Sequence, residues 1–493
     1  MEKTQILIGW AQADITPPQP VMLWGQFHTR VSRGVLDSLT ATALALECGD
    51  DAAIIVSCDL VSITSALVEA VRRELGARTD EFNPDKLLLC ATHTHTGPVY
   101  VEGIYSTDDP DVMSPAAYLE YASTRIADAA AEAWSHRAPG TVGWGLGHAV
   151  LGRNRRTTYA DGHAVMYGST ADEVFEGFED GSDSRVQVLA TWDESRTVTG
   201  VAVNLACPAQ LSEQAYYVSS DFWHEARSAI RERVGDDVFV LAQCSAAGDQ
   251  SPHVLLGKQA EDRMLQLGGM GVAVQARLAQ AGLDDADSDC RLARREYFGH
   301  TVAEVVSSLV PLLAEDTRCD IPFAHRVSTL HLPVRMVTET EKQQAGTELQ
   351  KLRAMADDPA KLHRRIVRAE SLITRHAQQQ PSDCLHIEAH FLRIGDVAMA
   401  TNPFELFMHY GLQMTARSPA LQTFVVQLAG CAKLGTGDRQ LGGMYLPTRR
   451  AVQGGSYSAN VDDNFVGPEG GDVLVAESVR ALQALWNDRG SNQ

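Results

Sequence analysis

Apolar positions along the chain show two periods. Residues 53–58 form an unbroken buried-strand pattern, Ala-Ile-Ile-Val-Ser-Cys, closed by Asp59. Leu67, Val68, Val71 and Leu75 then recur at helical spacing, and residues 87–91 return to a continuous run. This predicts strand, helix and strand. The order repeats downstream. An apolar run covers 201–207, and a helix capped near Ser220-Asp221 carries Phe222, Ala226, Ala229, Ile230 and Val234. A second run follows at 238–242. Strands alternating with helices predict an α/β fold, with a mixed, largely parallel sheet core flanked by helices.

Residues 255–315 read as helical, and 327–336 as a strand. Residues 339–379 are charged and helical, broken near Asp357-Asp358-Pro359. Their poor apolar stripe predicts a helical hairpin insertion, peripheral to any pocket and either solvated or used in a subunit contact, as in a possible homo-oligomer. Strands return at 385–394, 397–401 and 423–428. Glycine is dense over 430–455. Val473, Ala476, Val479, Leu482 and Leu485 mark a final amphipathic helix. With no linker composition in between, residues 1–493 are expected to form a single domain.

Charge narrows the choice of partner. Lys and Arg total 42 against 63 Asp and Glu, a formal net charge of −21. That argues against nucleic acid, whose phosphates require clustered cations. A small-molecule substrate is expected instead. The nine cysteines contain no C-x-x-C pair, which suits reduced thiols. No apolar run reaches 18 residues, and the first ten lack a basic segment followed by an apolar core, so a cytoplasmic location is expected.

Polar clusters follow three of the inferred strands, at 92–98, 245–252 and 401–405, the edge where open α/β sheets bind ligands. The first is Thr92-His93-Thr94-His95-Thr96-Gly97-Pro98. Alternation would project both imidazoles the same way if the strand continued, whereas Thr-Gly-Pro argues for a tight turn. Taken singly, a His-x-His pair is more often solvated or structural than metal-binding. The second cluster holds Gly248-Asp249-Gln250-Ser251-Pro252, a turn that lacks the G-x-S-x-G form of a nucleophile elbow.

Taken together, these motifs are more specific. With Gly9-Trp10-Ala11-Gln12-Ala13-Asp14-Ile15-Thr16-Pro17-Pro18 at the start, the chain resembles the neutral/alkaline ceramidase family of amide hydrolases. Arg153-Asn154-Arg155, Pro403-Phe404-Glu405 and Tyr445-Leu446-Pro447-Thr448 continue the likeness in the same order. It covers the catalytic domain and leaves out the family's C-terminal immunoglobulin-like domain. The resemblance implies a zinc (Zn2+) site with His93, Glu405 and Tyr445 as three ligands. It also implies His95 at the reacting group, Ser251 as nucleophile or polar site residue, and Arg155 and Tyr457 around the scissile amide.

The chain departs from the family pattern at the fourth ligand. Where the family has His-Pro, the sequence reads Cys207-Pro208. Cys207 could bind zinc as a thiolate, His224 could reach in from the next helix, or Cys207 could be a buried thiol beside an incomplete site. The expected activity is hydrolysis of a carboxamide (N-acyl) bond in a soluble or amphiphilic substrate, with metal-bound water or Ser251 attacking. Lactone or ester hydrolysis on the same site, and a binding protein that has lost a metal ligand, are the alternatives.

Overall fold

The computed structural model describes residues 5–284, 290–355, 359–434 and 444–487. Its centre is an eight-stranded sheet in the order Phe239–Cys244, Val198–Leu205, Arg185–Asp193, Ala138–His148, Leu7–Asp14, Thr40–Cys48, Asp51–Cys58, Leu87–Ala91. The sheet curls until its ends approach, and the Ser57 hydroxyl donates to the Ala242 carbonyl. A smaller sheet is built on Phe323–Pro333, Cys384–Ile394, Val397–Thr401 and Gln422–Val426. One core joins the two: Ile55, Leu88 and Leu241 meet Leu392, Met399 and Phe424.

Helices cover the outside. Ser65–Gly76 and Pro115–Ser135 close the core around Val56, Leu67, Leu89 and Ile126. Phe222–Val234 and Arg291–Leu313 close that around Val188, Val203, Phe222 and Val302. Met408–Arg417 and Pro468–Asn487 cover the small sheet through Tyr410, Met414, Leu474 and Leu482. No described helix is long and apolar enough to cross a membrane.

The fold is the mixed, helix-flanked α/β type expected, with a smaller parallel share. Within the large sheet, parallel pairing is confined to the two strand-helix-strand units. Asp51–Cys58 pairs with Leu87–Ala91, and Val198–Leu205 with Phe239–Cys244. The other neighbours are antiparallel, as in the hairpin of Thr40–Cys48 and Asp51–Cys58, turned at Gly49 with φ 65. The misreading has a physical cause. Both faces of Thr40–Cys48 and Asp51–Cys58 are covered, so this pair lacks the alternation that marks a half-exposed antiparallel strand.

The charged segment forms two helices, Glu339–Ala354 and Pro359–Gln378. A capping box starts the first, with Thr338 and Glu341 satisfying each other's backbone N–H.

Candidate active site

The loops after Leu87–Ala91, Val198–Leu205, Phe239–Cys244 and Val397–Thr401 carry His93, Gln210, Ser251 and Glu405 respectively. The first is anchored by a buried ion pair. Arg227 grips both oxygens of Asp59, at 2.7 and 3.0 Å, and Asp59 accepts from Thr92 Oγ1 at 3.1 Å. Thr94 and Thr96 both donate to the Ser219 carbonyl, at 2.7 and 2.8 Å. With the threonines tied to that side, the imidazoles face the other, their ring centres 4.8 Å apart.

His93 sits at φ 67, a left-handed conformation that costs a non-glycine residue about 1–2 kcal/mol. Its N–H donates to the Leu60 carbonyl and its Nδ1 to that of Val61, at 3.0 and 2.5 Å. The Val61 carbonyl can only accept, so Nδ1 carries the hydrogen of the tautomer that turns its Nε2 lone pair towards the site. Glu405 Oε2 lies 3.3 Å from that nitrogen.

His95 Nε2 is also 3.3 Å from His93 Nε2, and it accepts from the Gln210 amide at 2.8 Å. The proton then belongs on Nδ1, which faces Glu213 Oε2 at 3.7 Å. Burial, followed by His93 and the charges of Arg30, Arg155 and Arg364, holds the His95 pKa well below the ordinary imidazole value. Glu213 also binds His253 Nε2 at 2.9 Å. Burial raises the Glu213 pKa, but the His253 hydrogen bond and nearby cations outweigh it and leave the carboxyl below its usual range. Gly25 permits the packing: a Cβ there would lie 2.4 Å from the His95 ring.

Arg155 links the remaining polar groups. It donates to Tyr167 at 3.0 Å, the Gly248 carbonyl at 2.9 Å and Tyr445 at 3.1 Å. The Tyr445 and Tyr457 hydroxyls are 3.3 Å apart. Burial opposes the Arg155 charge, but Tyr167, Tyr445 and Glu405 hold its pKa well above the ordinary value. Gly248 lies under Glu405, where a Cβ would come 2.3 Å from the Glu405 carbonyl oxygen.

Seven of the eight expected residues belong to this connected assembly. His93, His95, Glu405, Tyr445 and Tyr457 line a cavity of about 400 Å3 with Trp24, Val61, Ile104 and Met444. Arg155 lies behind the wall. Ser251 is also outside it, with 0 % exposure, its Oγ accepting from Tyr167 at 3.0 Å and from the His253 N–H at 3.1 Å. No histidine or carboxylate side chain among the described residues binds that Oγ.

Cys207 is the correction. It lies in the core with Val203, Leu205 and Trp223, 1 % exposed, and its thiol approaches the Pro208 carbonyl at 3.6 Å. Burial, then Cys244 and Asp221, push its pKa well above the usual thiol value, which disfavours a thiolate. His224 is not brought in either. It belongs to a separate buried cluster with Asp37, Glu225, Arg277 and Arg295. The peripheral placement of the hairpin is also overturned, because Arg364, Val367 and Arg368 line the cavity.

Zinc needs three or four donors within about 2.3 Å of one point. His93 Nε2 and Glu405 Oε2 face one spot, but among the described residues no group of three or more His, Cys, Asp or Glu side chains could hold a metal ion. With Cys207 in the core, the residues present do not complete the four-ligand zinc shell that the resemblance implies.

Sequence reasoning missed Gln210, Glu213, Tyr167 and Arg364. Gln210 lies three positions beyond Cys207, in the segment where the family pattern breaks. The other three belong to no motif.

No protein-family model matches the chain, and no curated protein matches it by sequence. Solved structures do. Neutral ceramidase from Pseudomonas aeruginosa matches with a TM-score of 0.68 at 16 % identity, over 99 % of this chain and 75 % of that one. A ceramidase complexed with C2 matches with a TM-score of 0.65 at 16 % identity, over 99 % and 76 % respectively. The likeness shows that this chain has the neutral ceramidase fold.

Proposed function

We propose that this chain hydrolyses a carboxamide (N-acyl) bond in a small soluble or amphiphilic molecule. The supporting observation is the convergence of two acceptors, His93 Nε2 and Glu405 Oε2, 3.3 Å apart on the wall of one cavity. Such a spot suits a water that donates both hydrogens and keeps a lone pair for attack. The ceramidase fold makes an amide the first substrate to try, as an analogy.

The steps follow from the side chains. Glu405 takes a proton from the water as its oxygen adds to the carbonyl carbon. His93 Nε2 accepts the second hydrogen bond and orients the attack. The carbonyl oxygen gains negative charge opposite the Tyr457 hydroxyl, which Tyr445 polarises by donating to it at 3.3 Å while accepting from Arg155 at 3.1 Å. The C–N bond then breaks, and Glu405 returns its proton to the leaving nitrogen. Ser251 supports Tyr167 in this scheme and makes no covalent bond.

The test is amine release from a short panel of N-acyl compounds. Glu405→Gln keeps the shape and removes the base, and is expected to lower kcat by about 10^2–10^4-fold. A wild-type protein that binds these compounds and cleaves none would end the hydrolase reading.

A further inference from the structure

The charged groups of the cavity wall are of two kinds. Glu405 faces His93, Glu102 accepts from the Ala116 N–H at 3.2 Å, and Arg368 pairs with Asp462 at 3.0 Å and with Asp463. Arg364 differs. Among the described residues no carboxylate pairs with it. Its Nη1 donates to the Gln26 carbonyl and, at 2.9 Å, to the Tyr105 hydroxyl. Its guanidinium carbon lies 5.2 Å from the Phe27 ring centre and 5.7 Å from that of Tyr105. These neutral contacts fix the side chain without cancelling its charge. Among the described residues its Nε and Nη2 hydrogens are unclaimed, and they form the fork that takes a carboxylate bidentately.

This cation shares its cavity with the acceptors of His93 and Glu405 and with the apolar surfaces of Trp24, Val61, Ile104 and Met444. A ligand that uses all three features carries an apolar chain, an amide and an anion. We infer that Arg364 binds a carboxylate on the amine side of the scissile bond, so that the substrate is an N-acylated amino acid. The inference rests on the hydrolase reading and adds the substrate class. Hydrolysis would break the C–N bond, with the acyl carbon taking hydroxide from water and the amino acid nitrogen taking the proton.

A matched pair separates this from a neutral substrate: N-dodecanoylglycine and N-dodecanoylethanolamine share one acyl chain and differ in charge. Binding is read by calorimetry on the full chain, and turnover by amine release. The wild type is expected to bind the glycine compound at least about 10-fold more tightly, from a charge-assisted bidentate contact. Arg364→Gln should erase about 10–100-fold of that affinity and leave the neutral compound within about twofold. Arg364→Lys should restore part of it, because the charge returns without the fork.

Equal wild-type affinity for the two compounds would overturn the inference. So would Arg364→Gln weakening both alike, or dodecanoate binding as tightly as N-dodecanoylglycine, which would place the anion on the acyl side. Should Arg364→Gln fail to fold, the wild-type pair and Arg364→Lys still decide. Selective binding of the glycine compound without cleavage of either would end the hydrolase reading and leave the anion site standing.

Discussion

The two strand-helix-strand units of the large sheet are built alike and end differently. Each has a central strand, a covering helix and a parallel partner. The first ends in the turn of His93 and His95, where threonines bind one side and imidazoles occupy the other. The second sends Cys207 into the core and holds Ser251 behind Tyr167, and it contributes Gln210 and Glu213, which flank His95. A shared topology therefore places two loops at one edge but does not assign their side chains to the cavity. In the first unit the assignment depends on buried polar anchors. In the second it depends on which residues the core absorbed.

The largest expected effect breaks the first unit at its anchor. Arg227→Met leaves the carboxylate of Asp59 buried without its cation, and is expected to cost about 3–5 kcal/mol in denaturant unfolding. Amide hydrolysis should fall with it, since Thr92 and the His93 turn hang from Asp59. An unchanged midpoint would mean that the pair does not anchor the turn.

A smaller effect sharpens the second unit through pH. Burial raises the pKa of Asp249 to about 6, while Asn154 and the Met408 N–H bind its oxygens. The folded state thus holds this proton more tightly than the unfolded chain does. Stability should fall as pH rises from about 4 to about 6, by roughly 2–3 kcal/mol, and stay level above that. Asp249→Asn keeps an acceptor for Met408 and removes the ionisation. Its stability should lose that slope in unfolding curves taken across this window. The same slope in the variant would assign it to another group.

The smallest effect tests Cys207 directly. Cys207→Ala leaves a small void among Val203, Leu205 and Trp223, for about 1 kcal/mol. Amide hydrolysis is expected to stay within about twofold, because the thiol does not line the cavity. A loss of activity out of proportion to stability would return Cys207 to the site.

Much of the fold was legible because its signals are local. The unbroken apolar runs, the helical spacing around Val71 and Ile230, and the break before Pro359 each depend on a few neighbouring residues. Strand direction was harder, since strands covered on both faces lose their alternation whichever way they pair. At the site, the His-x-His turn stood out as a motif, and Arg155, Glu405, Tyr445 and Tyr457 through the family resemblance. Glu213 and Arg364 gave no such signal. Glu213 is a single carboxylate in a loop, and Arg364 is one of several arginines on a charged helix.

The strands Leu7–Asp14, Thr40–Cys48, Ala138–His148 and Arg185–Asp193 and the helix Pro115–Ser135 were not read from the sequence. The sequence by itself determined the two strand-helix-strand units, the strands of the small sheet and the loops that follow them. These depend on period, capping and turn chemistry within about one turn or strand. Only the tertiary structure decided which way the loop side chains face. Cys207 and Gln210 stand three residues apart in one loop, yet one joins the core and the other binds His95. The hairpin shows the same division at larger scale. Its composition made it helical, while the packing of Arg364 against Gln26, Phe27 and Tyr105 brought it over the cavity. Local chemistry sets the backbone path, but the facing of a side chain depends on partners distant in sequence, and those meet only when the chain has folded.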